Sequence, residues 1–139
     1  DEIVAIPVQR MAAKIAFLHT ADSASETSVS DGAVVLRYRV RYADGSSLEV
    51  PIRKGYEIDH WNNAELKFIK NGNVAWSQGA FYNKRRLFQI QLYEYLWTNP
   101  KPKAEIVAID LFRKPGDVDP EKVNTATFSI SCGTPAIDR

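Results

Sequence analysis

The sequence predicts an all-β fold, a jelly-roll-like antiparallel sandwich of about eight strands. From residue 34 to residue 42 one parity is apolar throughout, and the other carries Arg37, Arg39 and Arg41, which is the period of two expected of a strand with one wet face. Asp44-Gly45 separates this run from a second alternating run, residues 48–52, and such a pair between alternating runs predicts a tight hairpin. Turn residues recur at short intervals, as in Asn71-Gly72-Asn73, and no convincing helical pattern is present.

Eight segments have the pattern of strands. The predicted strands are Ala12–His19, Ala33–Ala43, Ser46–Arg53, Glu65–Lys70, Val74–Gly79, Arg86–Trp97, Ala104–Arg113 and Thr125–Cys132. Residues 1–9 are apolar but contain Pro7, which favours a sheet edge. Residues 106–112 are apolar on both faces except at Asp110, which predicts a central strand covered on both sides.

Length and composition narrow the class of protein. The chain has 139 residues, the size of one domain, and 45% of them are hydrophobic. The net charge is only +1, which argues against a general nucleic-acid or membrane-surface binder. Cys132 is the single cysteine, so neither an intramolecular disulfide nor a cysteine-based metal site is expected. No apolar run is long enough to span a bilayer.

The connections between the predicted strands differ in length. If each strand reverses the last, residues 20–32, 54–64, 80–85 and 114–124 gather at one end of the sandwich. The opposite end then holds the shorter connections, Asp44-Gly45, residues 71–73 and residues 98–103. Binding residues are commonly carried by loops on a rigid scaffold. The loop-rich end is therefore the predicted site.

Aromatic and polar residues concentrate at this end. The candidate ligand-binding residues are Tyr56, Asp59, His60, Trp61, Tyr82 and Arg85. An aromatic ring can stack on the apolar face of a sugar while Asp, His and Arg bond its hydroxyl groups, and a few polar groups in an apolar site are typical of a ligand pocket. The alternative is that Trp61 closes the end of the sandwich as part of the core.

A stripe of arginines and a stripe of aromatic residues on the predicted strands each allow a binding role or a structural role. Arg37, Arg39 and Arg41 could bind an anionic polysaccharide, but a solvated face paired with acids such as Glu49, Glu57 or Glu94 is the favoured interpretation. Tyr93, Tyr95 and Trp97 form an aromatic stripe, which is either buried or a docking face.

The sequence signals for a metal site and for catalysis are weaker. Asp117, Asp119 and Glu121 could supply oxygen ligands for a structural Ca²⁺, although a turn rich in Asp and Pro is the favoured explanation and no cofactor is expected. The two histidines, His19 and His60, show no spacing typical of a catalytic triad, and no phosphate-binding glycine motif is present. We therefore expect a protein that is not an enzyme.

A series of short motifs resembles a known family. In order they are Ile6-Pro-Val-Gln-Arg10, Phe17-Leu-His-Thr20, Tyr42-Ala-Asp-Gly45, Glu49-Val-Pro-Ile52, Asp59-His-Trp61, Val74-Ala-Trp76 and Trp97-Thr-Asn-Pro100. Together they resemble a galactose-binding-like jelly-roll domain of large bacterial surface and secreted proteins, many of them carbohydrate-active and common in planctomycete-type bacteria. Two features differ: relatives often carry two adjacent tryptophans where this chain has His60-Trp61, and they carry a further strand-forming segment upstream.

The resemblance implies a non-catalytic, carbohydrate-binding accessory domain of an extracellular or cell-surface protein. Its expected partners are a polysaccharide or glycan and other domains or chains of the parent protein, with no nucleic acid and no membrane insertion. The missing upstream segment raises the hypothesis that residues 1–139 are a single domain within a longer protein. The alternative function is a structural or assembly domain that docks through an aromatic face or an open strand edge.

Overall fold

The predicted all-β fold class is confirmed. A computed structural model describes residues 3–23 and 29–133, and these form two packed antiparallel sheets with no helix. The strands are β1 (Val4–Arg10), β2 (Lys14–Ser23), β3 (Val34–Tyr42), β4 (Ser47–Arg53), β5 (Asn62–Asn63), β6 (Asn73–Tyr82), β7 (Arg85–Thr98), β8 (Ile106–Phe112) and β9 (Val123–Gly133). The described residues include no helix that could cross a membrane.

The two sheets enclose one hydrophobic core. The four-stranded sheet has the order β1-β8-β3-β4. In the five-stranded sheet, β7 pairs with β6 along one edge and with β2 and the short β5 along the other, and β9 pairs with β2. The sheets meet where the ring of Phe17 on β2 stacks on that of Tyr38 on β3, with centroids 4.0 Å apart. Alternate residues of β2, β3 and β4 point into the core.

The predicted hairpin is present as β3 and β4. Gly45 has a φ of 89°, a left-handed conformation that suits glycine, and its N–H donates to the carbonyl of Tyr42 at 3.0 Å. The outward arginines of β3 pair with acids: Arg37 with Asp117, Arg39 with Glu49 and Arg41 with Asp110. The favoured interpretation of this stripe as a paired solvated face therefore agrees with the geometry, although Glu57 and Glu94 are not among the partners.

The central position predicted for residues 106–112 is confirmed. β8 lies between β1 and β3, and most of its residues are buried. Asp110, the one charged residue of this strand, is buried and meets the guanidinium groups of Arg39 and Arg41. β1 is an edge strand, which agrees with the position expected from Pro7.

The predicted strand Glu65–Lys70 is wrong, because none of its residues forms a strand. The buried side chain of Gln91 takes the place of a neighbouring strand. Its amide nitrogen donates to the carbonyl of Lys67 at 2.7 Å, and its oxygen accepts from the N–H of Lys67 at 3.0 Å. One side chain thus satisfies both backbone groups of Lys67, in the middle of the segment for which the pattern predicts a strand.

The predicted location of residues 71–73 at the short-turn end is also wrong. Lys70 and Asn71 donate their backbone N–H groups to the carbonyls of Gly55 and Tyr56, at 3.0 and 2.8 Å. The segment that leaves β4 therefore returns to its own starting point before β6. We call residues 54–71 the return loop.

A buried histidine connects both sheets and the return loop. His19 is 0% exposed. Its Nε2 lies 2.7 Å from the carbonyl of Glu57, which can only accept, so Nε2 carries the proton and donates. Nδ1 must then accept from the hydroxyl of Tyr38 at 2.8 Å, and that hydroxyl accepts from Thr127 at 2.9 Å. The neutral tautomer of His19 is fixed by its partners.

Tyr38→Phe tests this chain of hydrogen bonds. The change leaves Nδ1 of His19 and the hydroxyl of Thr127 without their partner, and we expect the free energy of unfolding to fall by about 1–3 kcal/mol. Urea unfolding followed by fluorescence measures it. Tyr82→Phe, at a tyrosine that is 68% exposed, is the matched control and should change stability very little. Equal effects of the two variants would contradict the assignment.

Stability should also fall at mildly acid pH because of His19. Burial lowers the pKa of His19 from 6.5 to about 4. Between these values the unfolded chain binds a proton that the folded chain refuses, so stability is full above pH 6.5 and falls toward pH 4, by up to about 1.4 kcal/mol per pH unit. Urea unfolding across this range should show the slope, and His19→Gln should remove it. An unchanged slope in the variant would refute this assignment.

Candidate functional site

The return loop is anchored at its base by a buried carboxylate. Glu57 is 1% exposed, and both of its oxygens accept from the guanidinium group of Arg53, at 2.9 and 2.6 Å. The amide of Asn71 donates to the same carboxylate at 2.8 Å. Arg53 ends β4 and Asn71 ends the loop. The carboxylate of Glu57, which binds both residues, therefore fixes both ends of the segment that carries four of the predicted site residues.

Tyr56, the first of these residues, is engaged by cations of the protein. The guanidinium carbon of Arg53 lies 4.4 Å from the centre of its ring, and Nζ of Lys70 lies 4.8 Å from it. Such cation–π contacts stabilise the loop base. They also engage the ring of one of the six predicted ligand-binding residues within the protein.

Asp59 and His60 form part of the interior of the loop. Asp59 is 0% exposed; its Oδ1 accepts from the backbone N–H of His60 at 2.7 Å, and its Oδ2 lies 3.0 Å from Nζ of Lys67. Burial raises the pKa of Asp59, but the hydrogen bonds from His60 and Lys67 outweigh it and lower the pKa to about 2. The carboxylate is therefore a structural anion rather than an exposed sugar ligand.

Trp61 is the predicted site residue that reaches a ligand-sized groove. Its backbone N–H donates to the carbonyl of Ala21, and its own carbonyl accepts from Gln91, so the residue bridges β2 and β7. The indole Nε1–H donates to Oδ1 of Asp22 at 2.8 Å, and the ring meets Phe88 edge to face at 6.0 Å. These contacts hold the ring in one orientation.

The groove lies on the outer face of the five-stranded sheet. Gln91 and Tyr93 are buried against the core, so Ile90 and Leu92 point outward by the alternation of β7. The groove has a volume of about 380 Å³, within the range of small-ligand pockets. Its lining is mostly apolar, and the residues that form it are Thr20, Ala21, Asp22, Trp61, Ile90, Leu92, Asn124, Thr125, Ala126 and Phe128.

Tyr82 and Arg85 lie away from this groove. They face each other at the end of the β6–β7 hairpin, where Asn83 and Lys84 form a turn with positive φ at both residues. Trp61 is near Ile90, five residues along β7 from Arg85, which corresponds to about 17 Å of strand. The six predicted ligand-binding residues therefore do not form one site.

The aromatic stripe of β7 faces inward rather than outward. Tyr93 is 0% exposed, and Tyr95 and Trp97 are half-buried against the core. A docking face built on these three residues, as the assembly alternative required, is contradicted. The large exposed side chains of this sheet include Trp76, Leu96 and Phe128, which are 46%, 47% and 59% exposed.

The acidic loop near residue 117 is engaged within the chain. Asp117 binds the guanidinium group of Arg37 through both oxygens, at 2.8 and 2.9 Å, and also accepts from the N–H of Lys114. Asp119 accepts from the N–H of Glu121. In the part of the chain that the structure describes, no three metal-binding side chains cluster together. The geometry gives the calcium alternative no support.

Sequence reasoning missed the residues that complete the groove. Phe128 was assigned only to the last strand, and the register shift of β9 beside it is invisible in the hydrophobic pattern. Asp22 and Asn124 lie in segments that were read as loops. The residues beside Asp22 do not show the pattern of a strand. The sequence therefore does not indicate that β2 and β9 continue to pair beyond His19.

Comparison with protein-family models, with curated proteins and with solved structures found no match. The resemblance to galactose-binding-like domains therefore stays a prediction, together with the extracellular location that it implies.

Asp59→Asn should destabilise the fold, because it removes the buried anion that faces Lys67. We expect the free energy of unfolding to fall by about 1–3 kcal/mol in urea. Glu65→Gln is the control, since the ion pair of Glu65 with Arg86 is exposed and such pairs contribute little. In a double-mutant cycle, Lys67→Met should couple strongly to Asp59→Asn. Additive effects would show that the two groups do not interact.

Proposed function

We propose that this domain is a non-catalytic binding module that takes a carbohydrate chain in the groove beside Trp61. The observation that carries the proposal is a groove of about 380 Å³ that contains two aromatic rings, Trp61 and Phe128, on an apolar floor with polar groups at its edge. Apolar ring faces and a few placed polar groups are what a sugar requires, because each pyranose has an apolar face and a rim of hydroxyls.

The dimensions of the groove favour an extended ligand. Residues of β7, the loop segment at Trp61, β2 and β9 line it side by side, so it spans three strand spacings, about 14 Å, across the sheet. It is open to solvent along the sheet surface, and a chain of sugar rings can lie across it.

The orientation of Trp61 also supports binding. Its indole N–H is already bonded to Asp22 and its edge is packed on Phe88, so little side-chain entropy is lost when a ligand covers the ring. Asp22 and Asn124 are exposed at the groove edge, where a carboxylate and an amide can bond ligand hydroxyls.

A second candidate function is assembly with other chains. It no longer rests on the inward-facing stripe of Tyr93, Tyr95 and Trp97. It is favoured instead by the outer edge of β9 in the five-stranded sheet, a strand with neither proline nor a charged residue.

A glycan array followed by calorimetry with the strongest-binding oligosaccharide tests the proposed function. Phe128→Ala and Trp61→Ala should each lower the affinity at least tenfold, or about 1.4 kcal/mol, because each removes a ring from the groove. Tyr82→Ala removes an exposed ring at the distant hairpin and should leave the affinity unchanged.

Two results would contradict the proposal. The first is the absence of binding to any glycan on a broad array. The second is a loss of affinity in Tyr82→Ala with none in the groove variants, which would move the site to the hairpin tip. Near-ultraviolet circular dichroism of each variant separates loss of binding from loss of folding.

A further inference from the structure

The longer edge strands among the described residues, β1, β4, β6 and β9, differ in how they are protected against pairing with other chains. In the four-stranded sheet, β1 contains Pro7 and Arg10, and β4 contains Pro51 and two charged residues. Proline and charge on an edge strand discourage unwanted strand addition. The edges of the five-stranded sheet, β6 and β9, contain neither proline nor a charged residue.

Of these two edges, β9 is the more regular. β6 has two register shifts against β7 and contains Gly79, and such irregularities twist an edge away from a partner. β9 is eleven residues long and has one register shift, opposite Leu18 and His19. Within residues 3–23 and 29–133, β2 is the only strand that pairs with it.

The direction of the backbone groups follows from β2. The N–H of Ala21 donates to Asp59 and its carbonyl accepts from Trp61, so both groups point away from β9. Thr125, which pairs with Ala21, therefore directs its own N–H and carbonyl to the open edge. That N–H is bonded by the adjacent side chain of Asn124, at 3.0 Å.

The open edge of β9 differs on the two sides of the register shift. At the start of β9, side chains of the protein itself already bond the backbone, since Arg113 donates to the carbonyl of Val123 and the side chain of Asn124 accepts from the N–H of Thr125. After the register shift, Ser129 and Ser131 pair with Leu18 and Ala16. By alternation, the backbone groups of Ile130 and Cys132 point to the open edge.

We propose that a second copy of this chain pairs antiparallel with residues 128–132 of β9, joining two five-stranded sheets into one. Pairing with a copy is favoured by charge: the strand carries none, and the whole chain has a net charge of only +1, so two copies meet no strong repulsion. A two-fold axis makes the contact closed and self-complementary.

This arrangement has a defined register. Ile130 lies on the axis opposite its own copy, because its backbone groups point outward and it is central to the open segment. Ser129 of each copy then faces Ser131 of the other, on the solvent side of the sheet. Both serines are exposed in the single chain, so they accept substitutions without disturbing the core.

Sedimentation velocity over a concentration series, under reducing conditions because Cys132 lies on this strand, tests the proposal. The unchanged chain should form a dimer. Ser129→Lys/Ser131→Lys places like charges opposite each other twice and should weaken the dimer at least tenfold. Ser129→Lys/Ser131→Glu places opposite charges at the same positions and should retain it.

The two variants differ only in the sign of one charge, which makes them matched controls for each other. A chain that stays monomeric at high concentration would overturn the proposal. Equal behaviour of the two variants would also overturn it, because the contact would then use another surface or another register. Assemblies that keep growing with concentration would overturn it as well, because pairing of β6 with β9 produces an open chain of copies. None of these outcomes bears on glycan binding, which is measured separately.

Discussion

The hydrogen bonds of His19 connect the parts of this fold that the hydrophobic core alone does not hold together. One ring nitrogen binds Tyr38 in the opposite sheet, and the other binds the backbone of Glu57 in the return loop. A buried imidazole without these partners would be costly, so the two contacts specify a single arrangement of three elements. The stacking of Tyr38 on Phe17 completes the connection between the sheets.

The candidate site depends on this arrangement. Because the return loop is bound at Glu57, its later residues run alongside β2, where Ala21 exchanges backbone hydrogen bonds with Asp59 and Trp61. Trp61 then lines the groove together with Ile90 and Leu92 rather than closing the end of the sandwich. The loop therefore behaves as an additional part of the five-stranded sheet. A rigid ring over an apolar groove is the consequence.

The fold was largely predictable because alternation and turn chemistry are local. The β3–β4 hairpin follows from Asp44-Gly45 and from one parity of apolar residues, and the central place of β8 follows from its apolar composition. The segment 65–70 was not predictable in the same way. Its pattern fits a strand, but the side chain of Gln91, distant in sequence, satisfies the backbone of Lys67.

The site was predictable only in part, for a related reason. Trp61 is identified from composition and lies in the groove, whereas the buried carboxylate of Asp59 pairs with Lys67 and Tyr82 lies at the end of a long hairpin. Connection parity says which end of a strand a loop leaves. It does not say how far a hairpin extends or which carboxylates turn inward. Those properties depend on contacts between residues far apart in sequence.

The central claim is that the loop carrying Trp61 is a fixed part of the sheet. Amide hydrogen exchange, measured by NMR, tests it at Ala21, Trp61 and Gln91, whose N–H groups bond across the loop and the strands. We expect these amides to exchange as slowly as those of the core strands β3 and β8, through global unfolding. Exchange of Trp61 and Ala21 at the rate of an exposed loop would contradict it.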